Sequence, residues 1–138
     1  MAFKAYGTKG YNTGHQEVTA SNSLDINQGD LVTITGGFVV KSGAGDLIDG
    51  VSVTDATFAA DNQTVGQLGV NFTPIDPQET FRATADADLT AANVGQFFDI
   101  DGATNQLVDA ATASDTTGQV KLIKFETARV GIYSIVNL

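Results

Sequence analysis

The strongest fold signal lies in residues 94–138, VGQFFDIDGATNQLVDAATASDTTGQVKLIKFETARVGIYSIVNL. Three runs rich in β-branched and aromatic residues, at 96–100, 119–125 and 131–138, alternate with turn-forming Asp, Gly and Thr. Such runs fit a pleated, half-buried surface. We predict three strands here, the last of them tying the apolar C-terminus into a sheet.

The last two of these runs are apolar on both alternation phases. Val120 and Leu122 fall on one phase of the first run, whereas Ile123 and Phe125 fall on the other. A strand that is apolar on both faces must be covered on both faces. The pattern therefore predicts that these strands are central in a barrel or sandwich, or that they lie against another chain.

The middle of the chain predicts a hairpin and two further strands. Residues 31–35 and 38–41 are β-branched runs joined by two glycines, which supply the positive φ angles of a tight turn. Residues 47–54 predict a strand in which Gly50 indicates a bulge or a turn. Residues 67–73 alternate apolar and polar side chains, which indicates one buried and one wet face.

A further strand and one helical turn are predicted between these regions. Residues 80–85 form a short strand-like run, whereas residues 86–95 have a single helical turn pattern. Asp88 or Thr90 can cap that turn, and Gly95 can end it in the left-handed conformation. About eight short strands with regular turn signals indicate an all-β barrel or sandwich with at most one short helical turn.

The N-terminal region has no clean period. Aromatic residues are spaced among glycines up to about residue 14, and a Thr-, Ser- and Asn-rich stretch follows. We therefore predict an extended N-terminal arm over residues 1–27 and a single β-barrel-like domain over residues 28–138.

The charge balance is strongly acidic, with a net charge of -9 from 7 Lys and Arg and 16 Asp and Glu. Such a chain is repelled by phosphate backbones, so we expect no direct nucleic acid partner. No apolar run approaches the ~20 residues that span a bilayer, and we expect no membrane partner. The absence of cysteine excludes disulfides and cysteine-based metal sites or nucleophiles.

No motif specifies a reaction, a metal or a cofactor. His15 is the one histidine, which excludes multi-histidine metal sites and leaves no convincing catalytic triad. The run Asp99-Ile100-Asp101-Gly102 starts like a calcium loop but lacks the required spacing, so we interpret it as a hairpin turn. Asp46, Asp49 and Asp55 are interpreted as a solvated acidic rim. We expect a protein that is not an enzyme and needs no cofactor.

Residues 88–100, with 105–109 and 118–125, resemble capsid decoration (cement) proteins of tailed bacteriophages in pattern and composition. The resemblance implies a small β-barrel or β-tulip domain with an extended N-terminal arm. It implies a virion protein that is synthesised in the host cytoplasm and is added to the outer surface of the assembled head. The implied assembly is a homotrimer that clamps neighbouring major capsid proteins against internal DNA pressure.

The arm supplies the candidate partner-binding residues, namely the aromatics Phe3, Tyr6 and Tyr11 with the adjacent cations Lys4 and Lys9. Aromatic anchors of this kind are favoured at protein interfaces. Two interpretations remain open at this point. The aromatics dock on the protein's own barrel, or they dock on a neighbouring subunit or capsid protein.

An alternative function is a carbohydrate-binding or adhesin-like β-sandwich on a virion or cell-surface appendage. Sugar sites place exposed aromatic platforms beside polar side chains, and the chain has no tryptophan and three tyrosines. That composition favours the capsid interpretation over the carbohydrate-binding one.

Overall fold

The computed structural model describes residues 4–6, 16–19, 25–53, 55, 69–76 and 78–138. Within these ranges the chain is all-β, with ten strands in two five-stranded sheets whose neighbouring strands pair antiparallel. Sheet 1 has the order β1-β7-β10-β9-β8, and sheet 2 has the order β2-β6-β5-β3-β4. The strands are β1 (Lys4–Tyr6), β2 (Gln16–Thr19), β3 (Leu31–Thr35), β4 (Phe38–Lys41), β5 (Gly50–Ser52), β6 (Gly69–Pro74), β7 (Thr80–Thr84), β8 (Phe97–Phe98), β9 (Val120–Thr127) and β10 (Val130–Ile135).

The predicted hairpin of β3 and β4 is confirmed. Thr35 pairs with Phe38, so the loop is the two residues Gly36 and Gly37. Their φ angles are +60° and +85°. Positive φ at both central positions is the requirement of the type I′ turn, whose twist matches that of the flanking strands.

The alternation predicted for residues 67–73 is confirmed for the part that lies in β6, where Val70 and Phe72 are buried, whereas residues 67 and 68 lie outside the described residues. The strand predicted at 47–54 is shorter than expected, since β5 is Gly50–Ser52. Gly50 is not at a bulge or a turn, because it stands in register opposite both Val32 and Pro74. A Cβ at Gly50 would collide with the Phe72 ring, so the glycine permits close packing inside the sheet.

The prediction that both closing strands are covered on both faces is half right. β10 is central in sheet 1, and Ile132 and Ser134 on its outer face are buried. β9 instead contains a bulge, because Ile132 pairs with Lys124 whereas Tyr133 pairs with Leu122. The extra residue is Ile123, which is 45% exposed.

The bulge explains why β9 is apolar on both phases. Side chains of a regular strand alternate between its two faces, and one inserted residue reverses this alternation. An odd-numbered residue after the bulge therefore points to the same face as an even-numbered residue before it. Phe125 stands opposite Gly131 and packs against the same cluster as Val120 and Leu122. Phe125, on the second apolar phase, therefore belongs to the same core and does not require a partner of its own, whereas Ile123 on that phase is exposed.

The helical turn predicted in residues 86–95 is confirmed as a 3₁₀ turn at Ala91–Asn93. Thr90 and Asn93 form a capping box, and Gly95 ends the segment at φ +91°. A second 3₁₀ turn at Ala110–Thr112, capped by Asp109, corrects the expectation of at most one helical turn. Neither turn has the length or apolarity needed for a helix to cross a membrane.

Most of the apolar core lies between the sheets. It contains Phe81, Phe98, Leu122 and Tyr133 from sheet 1 and Leu31 from sheet 2. A second, smaller cluster that includes Val32, Val39 and Phe72 lies on the other face of sheet 2. The edge strands β2 and β4 approach each other, so sheet 2 curls into a half-barrel around this second cluster.

Both ends of the described chain are joined to the sheets. β1 pairs with β7 at the edge of sheet 1, and β2 pairs with β6 at the edge of sheet 2. The division into an arm at 1–27 and a domain at 28–138 stays a prediction. The predicted attachment of the C-terminus is confirmed, since Gly118 and Leu138 exchange reciprocal backbone hydrogen bonds of 2.7 and 2.8 Å.

Candidate interaction surfaces

A buried side-chain amide joins the two sheets at Gln106. Its Oε1 accepts a hydrogen bond from Leu31 N at 2.9 Å, and its Nε2 donates to Leu31 O at 2.8 Å and to Ser42 O at 3.0 Å. The residue is fully buried and has a φ of +54°. The amide therefore supplies the acceptor for the buried Leu31 N–H at the start of β3, and it adds a second donor to Leu31 O, which also accepts from Ser42 N.

Two more amides hold the loop between β4 and β5. Gln119 Nε2 donates to the carbonyls of Gly43 and Asp46 at 3.0 and 2.6 Å, and its Oε1 accepts from Ile100 N. Asn137, at φ +52°, accepts from Ile48 N and donates to Ile48 O, each at 2.9 Å. The loop of sheet 2 is thus hydrogen-bonded to the C-terminal strands of sheet 1, although nothing in the sequence singled out these amides.

The aspartates brace the loops. In the described part of the chain, nine of them accept hydrogen bonds from backbone N–H groups. The residues interpreted as a solvated acidic rim are included: Asp46 accepts from Gly43, Asp49 from Ile34 and Asp55 from Gln28. Charge-assisted bonds of this kind are stronger than neutral ones, so the acidic composition has a structural use.

The run that starts like a calcium loop is used in the same way. Asp99 Oδ1 accepts from Gln119 N at 3.2 Å, and Asp101 Oδ1 accepts from Leu107 N at 2.9 Å. Within the described residues, no group of three His, Cys, Asp or Glu side chains could hold a metal ion. The antiparallel bridge between Ile100 and Val108 closes a loop that carries Gln106, and its turn lies at residues 103–105, just after the predicted position at Asp101 and Gly102.

Among the ion pairs of the described residues, that of Lys41 with Asp30 is buried. Lys41 Nζ lies 3.3 Å from Asp30 Oδ2, and the two side chains are 7% and 3% exposed. Lys41 Nζ also donates to Thr104 O, and Asp30 Oδ2 also accepts from Asn27 N. These added hydrogen bonds offset part of the desolvation of the two charges. The hydrogen bond from Lys41 to Thr104 O holds β4 against residues 102–106.

Tyr133 lies in the main core, where its ring meets that of Phe98 edge-on with centroids 6.5 Å apart. Its hydroxyl is buried without a hydrogen-bond partner among the described residues. Burial raises the pKa of Tyr133 to about 12. The pKa of Tyr133 is therefore higher in the folded state than in the unfolded state. Its contribution to the free energy of unfolding is fully present below about pH 10 and is lost as the pH rises through the folded-state pKa.

We expect Tyr133→Phe to flatten this alkaline loss of stability. Ionisation of Tyr133 should lower the free energy of unfolding of the wild-type protein by about 2–3 kcal/mol between roughly pH 10 and 12, and the variant should not show this loss. At pH 7 the variant should be within about 1 kcal/mol of wild type, because no paired hydrogen bond is removed. Urea unfolding at both pH values measures the difference. Parallel pH dependence in the two proteins would contradict the assignment.

A cleft of about 340 Å³ opens beside the C-terminus. We call it the acidic cleft; its lining includes Asp46, Leu47, Asp99, Asn137 and Leu138. Leu47 and Leu138 are 60% and 64% exposed. Its walls are held in place by the Gln119 and Asn137 hydrogen bonds described above, so the cleft is a preformed feature of the fold.

The outer surface of sheet 1 has the opposite charge. The strands of this sheet contain four of the chain's seven Lys and Arg but one of its 16 Asp and Glu. We call this surface the basic face; its described cations are Arg82, Lys121 and Lys124. Lys121 Nζ lies 5.4 Å from the centre of the Phe97 ring, and Arg82 Nε donates to Glu126 Oε1 at 2.7 Å. That hydrogen bond lowers the pKa of the Glu126 carboxyl.

Two exposed apolar residues lie close to these cations along the backbone, Ile123 between Lys121 and Lys124 in β9 and Val94 in the segment that pairs with β9. Val94 and Ile123 are 44% and 45% exposed. The hydrogen bond from Gly95 N to Leu122 O, at 2.8 Å, brings their backbones together. The basic face therefore combines positive charge with a small apolar area, a composition that suits contact with an acidic protein surface.

The predicted partner-binding residues are placed in part. Lys4 and Tyr6 lie in β1, where their backbones stand opposite Arg82 and Thr80 at the edge of sheet 1. Phe3, Lys9 and Tyr11 lie outside the described residues. Their role as contact residues stays a prediction.

No protein-family model matches the chain, and no curated protein matches it by sequence. Among solved structures, the fold is similar to that of the N base of the head fiber gp8.5 of bacteriophage phi29, with a TM-score of 0.53 and 15% sequence identity. The alignment covers 90% of this chain and 96% of that one. At this level of identity the likeness shows a shared fold.

Proposed function

We propose that this chain is a structural protein of a phage virion, which binds the outer surface of the assembled head as a homotrimer and cements neighbouring major capsid proteins. The observation that carries the proposal is the likeness over 90% of the chain to the base of a phage head fiber. The resemblance of residues 88–100, 105–109 and 118–125 to phage decoration proteins supports it separately, because that resemblance is one of sequence pattern.

The construction of the fold suits a cementing role. Side-chain amides join the two sheets, and aspartates brace the loops through backbone hydrogen bonds. A scaffold that is already ordered loses little conformational entropy when it binds. Three such subunits in one assembly can be retained by individually weak contacts, because the second and third attachments are intramolecular.

The N-terminal arm is the element proposed to contact the capsid. Its strand β1 is held at the edge of sheet 1 by pairing with β7. The residues on either side of β1 include Phe3, Lys9 and Tyr11. We assign the capsid contact to these residues together with Lys4 and Tyr6.

Co-sedimentation with assembled heads of the source phage tests the proposal. The full chain is expected to sediment with the heads at a fixed ratio, and a variant with Phe3→Ser, Tyr6→Ser and Tyr11→Ser is expected to remain in the supernatant. Point changes are preferred to deletion of residues 1–27, since deletion removes two strands. Ile34→Ser is the control, because Ile34 is 38% exposed and lies away from the arm in sequence.

The outcomes separate the parts of the proposal. Failure of the full chain to bind heads would reject the capsid-binding function. Undiminished binding of the triple variant would reject the arm as the contact while leaving the function in place. Cryo-electron microscopy of decorated heads would show extra density on the outside of the shell if the proposal is correct.

A further inference from the structure

The basic face and the acidic cleft have complementary chemistry on one molecule. The basic face contains Lys121 and Lys124, with exposed Ile123 between them in the sequence of β9 and exposed Val94 in the segment that pairs with β9. The acidic cleft presents Asp46 and Asp99 beside exposed Leu47 and Leu138. Among the described residues, four of the five large apolar side chains that are exposed belong to these two surfaces.

We propose that the acidic cleft of one copy of this chain docks on the basic face of a second copy. This inference rests on the proposed assembly of the protein into a homo-oligomer, and it names the surfaces that form it. The contact joins unlike surfaces and is therefore heterologous, so repetition of it closes a ring if the rotation permits. A homotrimer is such a ring.

Charge is the first argument for a second copy as the occupant. The chain as a whole has a net charge of -9, although the strands of sheet 1 have an excess of cations. The surface outside sheet 1 is therefore more acidic than the total indicates, and every copy offers it to its neighbours. Complementary potentials of this kind fix the orientation of partners and speed their encounter.

Apolar matching and rigidity are the second argument. Leu47 and Leu138 on one surface can be covered by Val94 and Ile123 on the other, which removes all four from water. Each surface is held in place before contact, the cleft by Gln119 and Asn137 and the basic face by strand pairing in sheet 1. Preformed surfaces keep more of the interaction energy as affinity.

Two variants disable the two surfaces separately. Lys121→Glu with Lys124→Glu reverses the charge of the basic face, and Leu47→Arg places a cation at the cleft. The Leu47 side chain is exposed and its backbone O, which accepts from Thr33 Oγ1, is retained, so folding should not change. Arg129→Glu is the control: its side chain is 57% exposed in the turn between β9 and β10, where it pairs with Asp88.

Light scattering coupled to size exclusion measures the oligomer, and circular dichroism verifies folding. Wild type and Arg129→Glu should be trimeric, whereas each disabled variant should be monomeric with self-association weakened about ten-fold or more. Association of the wild type should also weaken as salt rises from about 0.05 to 1 M, because the Debye length falls from over 10 Å to about 3 Å.

A mixture of the two disabled variants tests the contact between the acidic cleft and the basic face most specifically. The Leu47→Arg protein keeps its basic face and the double lysine variant keeps its cleft, so one intact contact forms and the mixture should yield a 1:1 dimer. A trimer that persists in either folded variant, or a mixture that stays monomeric, would overturn the inference. A monomeric wild type would overturn it too. Head binding is scored separately by co-sedimentation, so loss of the inferred contact is distinguishable from loss of the proposed function.

Discussion

Replacement of Gln106 by glutamate is expected to unfold the protein at neutral pH. Gln106 Nε2 donates to Leu31 O and Ser42 O, and the residue has no solvent exposure. A carboxylate oxygen in the Nε2 position would face two carbonyl oxygens, and the buried charge would keep Leu31 N as its hydrogen-bond donor. The cost is about 5 kcal/mol or more, which is comparable with the total stability of a small domain.

Acid should partly restore the Gln106→Glu variant. Burial and the two carbonyl acceptors raise the pKa of the introduced carboxyl above its unfolded value. The protonated form is therefore favoured in the folded state, so stability is present at low pH and is lost as the pH rises through the folded pKa. Protonation also supplies an O–H that can donate to one of the two carbonyls.

Thermal unfolding followed by circular dichroism at about pH 4 and pH 7 measures this effect. Gln78→Glu is the matched control, because Gln78 is exposed and undergoes the same chemical change. It should melt close to wild type at both pH values. A Gln106→Glu protein that melts like wild type at pH 7 would show that Gln106 does not support the junction between the sheets.

The parts of the fold that the sequence predicts are those with a local cause. The turn at Gly36 and Gly37 follows from the need for positive φ, and the 3₁₀ turn before Gly95 follows from a capping pair and a left-handed stop. The alternation in β6 is visible because one of its faces is buried. Each of these signals lies within about ten residues of the structure that it specifies.

The parts that the sequence does not predict depend on distant partners. The bulge at Ile123 changes which residues of β9 face the core, and the bulge is set by the register of β9 against β10. Gln106 lies 75 residues from Leu31, and Asn137 lies 89 residues from Ile48. A glutamine in a polar loop gives no sign that it completes a distant strand.

The candidate surfaces likewise combine features that the local sequence predicts with features that depend on distant segments. The excess of acidic residues can be read from the composition. The separation of acidic from basic surface appears only in the fold, where β7 and β9 lie on either side of β10. Arg82, Lys121 and Lys124 are scattered in the sequence. The arm residues are proposed from composition, because aromatic and basic residues lie close together there, whereas the cleft combines segments near residues 46, 99, 118 and 138.

Gly118→Ala is expected to destabilise the protein strongly, although it adds a single methyl group. A Cβ at this position would lie 2.6 Å from Phe98 N, 2.8 Å from Phe98 O and 2.9 Å from Phe97 Cβ. Two of these atoms are backbone atoms of β8, so no side-chain rotation relieves the contact. Gly118 also holds the C-terminus through its paired hydrogen bonds with Leu138. Either β8 or the C-terminal segment has to move.

The expected loss for Gly118→Ala is about 3 kcal/mol, or roughly 10 °C in the melting temperature, for one added methyl group. Gly43→Ala is the matched control, because the nearest atom to its new Cβ is the Asp46 carboxylate oxygen at 3.2 Å, the end of a side chain that can shift. That variant should stay within about 1 kcal/mol of wild type. Since Gly118 lines the acidic cleft, a folded fraction of the Gly118→Ala protein should also bind a second copy more weakly. Equal melting temperatures for the two alanine variants would contradict the close approach of β8 to Gly118.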